Sequence, residues 1–204
     1  MKQLKYVEGV MYEYEIYRLV DNRDPILYQK TPIYEFDNTE DSRYIAISLL
    51  ETMKHHHGLG LAAPQCGLSK RVFVLGSDNV GYAFFNPKIL RVEGSIKGQE
   101  GCLSFPGLYL PVERPEAVTV SYCDMNGVEK EGTFKGLTAR IILHEYDHLE
   151  GITFTSHVKK LMLDMYQRKA QKNIKRMKRE NERIERNDII KEAAKKVISN
   201  KKTP

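Results

Sequence analysis

His144-Glu145-Tyr146-Asp147-His148 sets two imidazoles four residues apart, with a carboxylate beside the first. On an α-helix, residues four apart stack on one face, so His144 and His148 can aim at one ion while Glu145 lies next to it. That is the spacing of a metal site with a proton-transfer group attached. Two histidines do not finish such a site, because catalytic zinc and iron(II) centres usually take three protein ligands and keep a position for water. The candidate third ligand is Cys102, a lone cysteine among the turn residues of Gln99-Glu100-Gly101-Cys102-Leu103-Ser104-Phe105-Pro106-Gly107. A thiolate with two imidazoles is an accepted set that leaves one position open. A divalent ion held this way lowers the pKa of its water and acts as a Lewis acid, which is the chemistry of a hydrolase.

The same residues have plainer readings. Histidines on an apolar helix face can be satisfied core residues, and a cysteine can be a small buried apolar one. H-E-x-x-H also serves zinc endopeptidases. In the metzincin form His148-x-x-Gly151 continues to a third histidine, but Phe154 stands there and His157 comes three places late. A thermolysin-like glutamate would have to come from Glu180 or Glu182, in a charged stretch ill suited to burial. The run His55-His56-His57 cannot easily share one ion, because consecutive helical residues point in different directions. It reads as a solvated helix end. Gly58-x-Gly60 lacks the third glycine of a nucleotide loop, so Gly58-Leu59-Gly60-Leu61-Ala62-Ala63-Pro64-Gln65-Cys66-Gly67 is read as a small-residue loop whose backbone approaches a ligand.

These groups need elements to hold them. Leu137, Ile141, His144 and His148 recur at spacings of four, three and four with Gly151 as a C-terminal cap, which predicts a helix with both histidines facing inward. Thr39 to His56 is predicted as a second helix, capped by Asn38 or Thr39, buried along Ile45, Leu49 and Met53, and ended by Gly58. Arg71 to Leu75 and Tyr82 to Phe85 are strand-like, with Asn86-Pro87 expected to break the second. Val118 to Tyr122 alternates, Cys123 follows on its Thr119 and Ser121 side as a half-exposed structural thiol, and Asn126-Gly127 marks a hairpin turn. Residues before about Phe36 give little signal beyond turns at Pro25 and Pro32.

At 204 residues and 41% apolar, the chain can build one domain with a real core plus an appendage. It has no 18-residue apolar run, and its start matches neither a signal nor a transit peptide, so a cytoplasmic location and no membrane association are expected. Cys66, Cys102 and Cys123 cannot all pair, which suits free thiols in a reducing compartment. The net charge of +5 is unevenly spread: residues 159–202 hold 16 Lys and Arg against 6 Asp and Glu, leaving 16 against 21 elsewhere. This predicts a mildly acidic body, residues 1–158, and a basic helical tail, residues 159–204. Leu163, Ala170, Met177 and Ile184 fall seven apart in that tail, a seam too thin for a bundle helix, so most of the tail should be exposed. A solvated extension, an RNA contact and a coiled-coil dimer all fit, with RNA and a monomer preferred because a basic helix on an acidic body suits a phosphate surface.

Three stretches together resemble the peptide deformylases: Gly58-Leu59-Gly60-Leu61-Ala62-Ala63-Pro64-Gln65, Glu100-Gly101-Cys102-Leu103-Ser104 and His144-Glu145-Tyr146-Asp147-His148-Leu149-Glu150-Gly151. The resemblance runs from about Asp24 to Phe154, with Leu143 where the family usually has Gln and Tyr28 for a frequent Arg. It implies an α+β fold of mixed, largely antiparallel sheets around a central metal-binding helix. It also implies Cys102, His144 and His148 as metal ligands, with iron(II) most usual and zinc, nickel or cobalt as substitutes. Glu145 is implied as general acid/base, Gln65 and the Leu103 N–H as oxyanion donors, and Gly60 as a backbone partner of the substrate. That substrate would be an N-formylmethionyl nascent peptide, cleaved to formate and a free amino terminus. Leu59, Leu137 and Ile141 are expected to form a methionine slot, with Tyr109 at its rim; Leu137 and Ile141 are chosen because they share the histidine face.

Overall fold

The structure is a computed structural model, and it describes residues 3–7, 10–36, 42–77, 80–176, 178–179 and 186. The chain divides into two compact units, Met1–Lys159 and Lys160–Pro204.

In the first unit, β3 (Gly60–Ala62), β4 (Val72–Gly76), β5 (Gly81–Glu93), β8 (Ala117–Cys123) and β9 (Glu129–Lys135) form a five-stranded sheet in the order β3-β4-β5-β8-β9. Hairpin β1 (Gln3–Val7) with β2 (Val10–Tyr14) and hairpin β6 (Ile96–Gly101) with β7 (Tyr109–Arg114) stand apart as two-stranded sheets. Every described pairing is antiparallel, so the parallel strands that "mixed" allowed do not occur among the described residues.

Helix α1 (Ser42–His55) and helix α2 (Gly136–Leu149) cover opposite faces of the large sheet. Alternation along β4 makes this visible: Val72 and Val74 pack with Ile45, Leu49 and Met53 of α1, whereas Phe73 and Leu75 pack with Ala139, Ile142 and Leu143 of α2. A strand covered on both faces is a continuous apolar run, which is what Val72-Phe73-Val74-Leu75 shows. Sandwiching of the sheet fixes α2 from beneath and leaves its other side free to bear the histidines.

Both helices close by the same device. At the end of α2, Gly151 takes φ +72°, its N–H reaches His148 O (3.3 Å) and that of Ile152 reaches Asp147 O (2.9 Å). At the end of α1 the left-handed residue is His57, at φ +56°, with Gly58 N–H donating to Met53 O at 2.9 Å. Gly58 thus ends the helix without itself being the left-handed residue. Its small size serves a close approach instead, since a Cβ there would lie 2.8 Å from Leu103 Cδ1. The expected caps Asn38 and Thr39 lie outside the described residues.

Asn86-Pro87 does not break β5. Asn86 adopts φ +49°, the register with β8 shifts between Phe85 and Lys88, and the Asn86 side chain accepts from Tyr34 N–H (2.7 Å) and donates to Tyr34 O (2.8 Å). A bulge tolerates the missing proline N–H, so the strand bends and continues. The Asn126-Gly127 turn is wider than two residues: Asp124 Oδ1 accepts from the N–H groups of Asn126 (2.8 Å) and Val128 (3.1 Å), with Gly127 at φ +76°.

In the second unit, residues 160–176 are helical, and Leu161, Met165 and Ile174 are exposed. Of the expected seam, Met177 and Ile184 lie outside the described residues. No helix among the described residues is long and apolar enough to cross a membrane.

Candidate metal centre and active site

One turn of α2 separates His144 from His148, and both are buried, at 7% and 0% exposure. The loop that joins β6 to β7 brings Cys102 to them: its Sγ lies 3.3 Å from His148 Nε2, and one ligand atom from each of the three residues falls within 4.8 Å of the others. A tetrahedral ion with bonds of 2.0–2.3 Å needs its ligand atoms about 3.3–3.8 Å apart, and the Cys102–His148 separation falls in that range. The His144 ring is oriented by Nδ1, which donates to Glu100 Oε2 at 3.0 Å and leaves Nε2 as the nitrogen that could take an ion. His157 stands outside this cluster, and its Nε2 donates to Asp147 Oδ2 at 2.7 Å. Phe154 is buried against the His144 ring, at the place where a metzincin would carry its third histidine.

Burial and neighbouring charges pull the groups of this cluster in opposite directions. Burial pushes His144 down, but hydrogen bonds to Cys102 and Glu100 and the neighbouring Glu145 outweigh it and lift the ring to about 10. His148 is held well below its ordinary value by its complete burial and by the positive charges of His144 and Arg114. Burial would raise Glu100, yet hydrogen bonds from His144 and Arg114 bring it down to about 2. Burial alone dominates at Glu145 and pushes it up to about 7, with one carboxylate oxygen lacking a hydrogen-bond partner among the described residues.

A cavity of about 700 Å³ opens over the cluster. Cys102, His144 and Glu145 reach its wall, whereas His148 lies behind Cys102 and does not. Gln65 and Leu103 line it too. Gln65 is fixed by its own segment: Oε1 accepts from Ala62 N–H at 2.8 Å, which turns Nε2 toward Cys102 Sγ and Ser104 Oγ, each at 3.3 Å. Gly60 packs directly on the carboxylate, since a Cβ there would lie 2.6 Å from Glu145 Oε1 and 2.8 Å from Ile141 Cγ2. The stretch around it is not the loop expected but edge strand β3 followed by a short 3-10 turn, Ala63–Cys66. Leu59, Leu137, Ile141 and Tyr109 all border the cavity. Leu137 is 64% exposed rather than buried, because the helix face it shares with the histidines looks into the cavity at that end.

A model of the polypeptide deformylase family matches residues 16–163. The chain belongs to the peptide deformylase family. It is therefore a hydrolase of the kind that removes the N-formyl group from nascent peptides, and the family is metal-dependent. A Rhizobium meliloti peptide deformylase is 42% identical over 160 residues, 74% of this chain and 90% of its own. The crystal structure of a Synechococcus elongatus peptide deformylase in complex with actinonin shares 39% identity at TM-score 0.71, covering 75% of this chain and 86% of that one. The Thermotoga maritima deformylase structure gives 36% identity and TM-score 0.67, over 71% of this chain and 99% of that one.

Sequence reasoning passed over the charged groups that surround these deformylase motifs. Glu100 was in view inside Glu100-Gly101-Cys102 without a role, and Arg114, Arg140 and Asp147 were not singled out. Charged residues are usually solvated, and nothing local to Glu113-Arg114-Pro115 announces a guanidinium that is almost wholly buried.

Proposed function

We propose that Cys102, His144 and His148 hold the divalent ion of this deformylase, and that Glu145 carries the proton in the hydrolysis of N-formylmethionyl chains to formate and a free amine. The observation that carries this reading is the convergence of a thiol, an imidazole and a buried carboxylate on the wall of one cavity, with a second imidazole directly behind the thiol. The ion, when bound, would polarise the formyl carbonyl and make water nucleophilic near neutral pH. Glu145 does the rest of the proton bookkeeping. Its value near 7 suits taking a proton from the attacking water and giving it to the nitrogen as the C–N bond breaks, since an amide anion would not leave. Developing negative charge on the formyl oxygen is met by the Leu103 N–H and by Gln65 Nε2, whose present contacts are long enough to yield to a stronger acceptor. Each donor is worth about 3 kcal/mol of barrier.

The methionine side chain is assigned to the apolar surface of Leu59, Leu137 and Ile141, with Tyr109 at the rim. Large apolar side chains left exposed inside a concavity gain when an apolar group covers them, by about 25 cal/mol per Å². Gly60 sits on an edge strand, so its backbone can pair with an extended peptide leading away from the cavity. Iron(II) is the metal we assign in the cell, with zinc, nickel or cobalt as replacements; the donor set suits all four. The protein is taken to work in the cytoplasm as a monomer, with the basic helix of residues 160–176 contacting ribosomal RNA as chains emerge. Metal analysis of anaerobically purified protein, run beside formate release from a formyl-Met peptide, tests the core of this reading. One equivalent of iron with turnover supports it; turnover by protein stripped of divalent metal contradicts it.

A further inference from the structure

Among the described residues, hairpin β6–β7 joins no larger sheet, so a β ladder does not hold Cys102 opposite the histidines of α2. Side chains must do so, and one of them grips two carboxylates that flank the three candidate ligands. Arg114 on β7 is 4% exposed. Its Nε and Nη2 donate to Glu100 Oε1 and Oε2 at 2.9 and 3.0 Å, two residues before Cys102, and its Nη1 donates to Asp147 Oδ2 at 2.5 Å, one residue before His148. Glu100 Oε2 in turn accepts from His144 Nδ1. A single planar fork thus joins Glu100, which lies two residues before the cysteine and orients the first histidine, to Asp147, the second histidine's neighbour. Arg140, on α2, also ties the helix to the hairpin, through Glu100 at 2.7 Å, Ile96 O at 2.6 Å and Val112 O at 3.0 Å, but none of these contacts lies beside His148. It does not bridge to Asp147. His157 braces the outer side, donating to the same Asp147 oxygen.

We propose that Arg114 is the positioning residue of the metal centre, fixing the distance between Cys102 and the two histidines and so the rate at which the ion escapes. This rests on the ligand set assigned above. A lysine would keep the charge, but a point ammonium cannot grip two carboxylates in one plane.

Cobalt(II) serves as the probe, loaded into the full chain and into Arg114→Lys, Arg114→Met, Asp147→Asn and Arg71→Met. Arg71 is the control, because it is also buried and ion-paired with Glu150 at 2.5 Å at the end of α2, outside the cavity. Loss of thiolate-to-cobalt absorption into excess chelator gives the escape rate, and Tm is measured separately. The proposal expects escape at least ~10-fold faster in Arg114→Lys and Asp147→Asn, with no rescue by lysine, and a lowered Tm but unchanged escape in Arg71→Met. Wild-type escape rates in Arg114→Lys and Asp147→Asn, or equal acceleration in Arg71→Met, would overturn it. If the Arg114 variants do not fold, the near-isosteric Asp147→Asn decides alone. No thiolate absorption in the wild type would refute the ligand set itself, and this inference with it.

Discussion

Full burial holds the Glu145 carboxyl at about 7, and a cation beside it would pull that value down. The rate constant kcat/KM for a formyl-Met peptide should therefore rise with pH through an acid limb at or below about 7 as the base is freed. Glu145→Ala should keep its metal and lose nearly all turnover, measured by formate release beside metal content; substantial residual hydrolysis would point to another base. Glu100 bears on stability as well. Its folded value of about 2 lies below the ordinary 4.5, so its contribution is complete above pH 4.5 and is lost as pH falls through about 2. By linkage that is about 3 kcal/mol, and Glu100→Gln should flatten the fall of stability in that window in acid-denaturation curves. Glu145 acts in the opposite sense, stabilising below 4.5 and losing that contribution as pH rises through about 7. The ligands and the base were legible because their spacing is their signal. Glu100, Arg114 and Asp147 were not, since a buried ion-pair network leaves no period in the sequence.

Two glycines on the elements around the site are held by close approach, and they fail in different ways. Gly60→Ala would drive a methyl into Glu145 and Ile141, so kcat should fall well before Tm does; unchanged kcat in a folded variant would mean that Glu145 has room to move. Gly151→Ala meets the backbone of Tyr28 and Gln29 at 2.8–2.9 Å from a left-handed residue, and should cost about 1–3 kcal/mol in denaturant titrations. At this scale the helices and β4 could be read directly, the helices from their 3.6-residue period and β4 from its unbroken apolar run. Strand β5 was misread because a bulge absorbs Asn86-Pro87. Strand β6 was invisible because Ile96-Lys97-Gly98-Gln99-Glu100-Gly101 shows no alternation. Its buried position is the ion-paired Glu100, and Gly98 is small to admit the Arg140 guanidinium, 2.9 Å from where a Cβ would be.

The charge asymmetry along the chain falls beside the division of the molecule into units at Lys159 and Lys160. The Thermotoga maritima deformylase is almost wholly matched by 71% of this chain, so the catalytic unit should stand without the tail. A protein ending near Lys160 should hydrolyse short formyl peptides at the full-length rate yet lose ribosome co-sedimentation, and full-length binding should weaken steeply with salt. Equal sedimentation of both forms, or salt-insensitive binding, would remove the RNA reading; a doubled mass of the full-length protein alone would replace it with a dimer. The central claim is that Cys102, His144 and His148 together hold the ion that makes this chain a deformylase. It is tested most directly by metal content and formate release in anaerobically purified Cys102→Ser. Loss of both, in a protein whose circular dichroism matches the wild type, is the predicted result; stoichiometric metal with turnover retained would contradict the account.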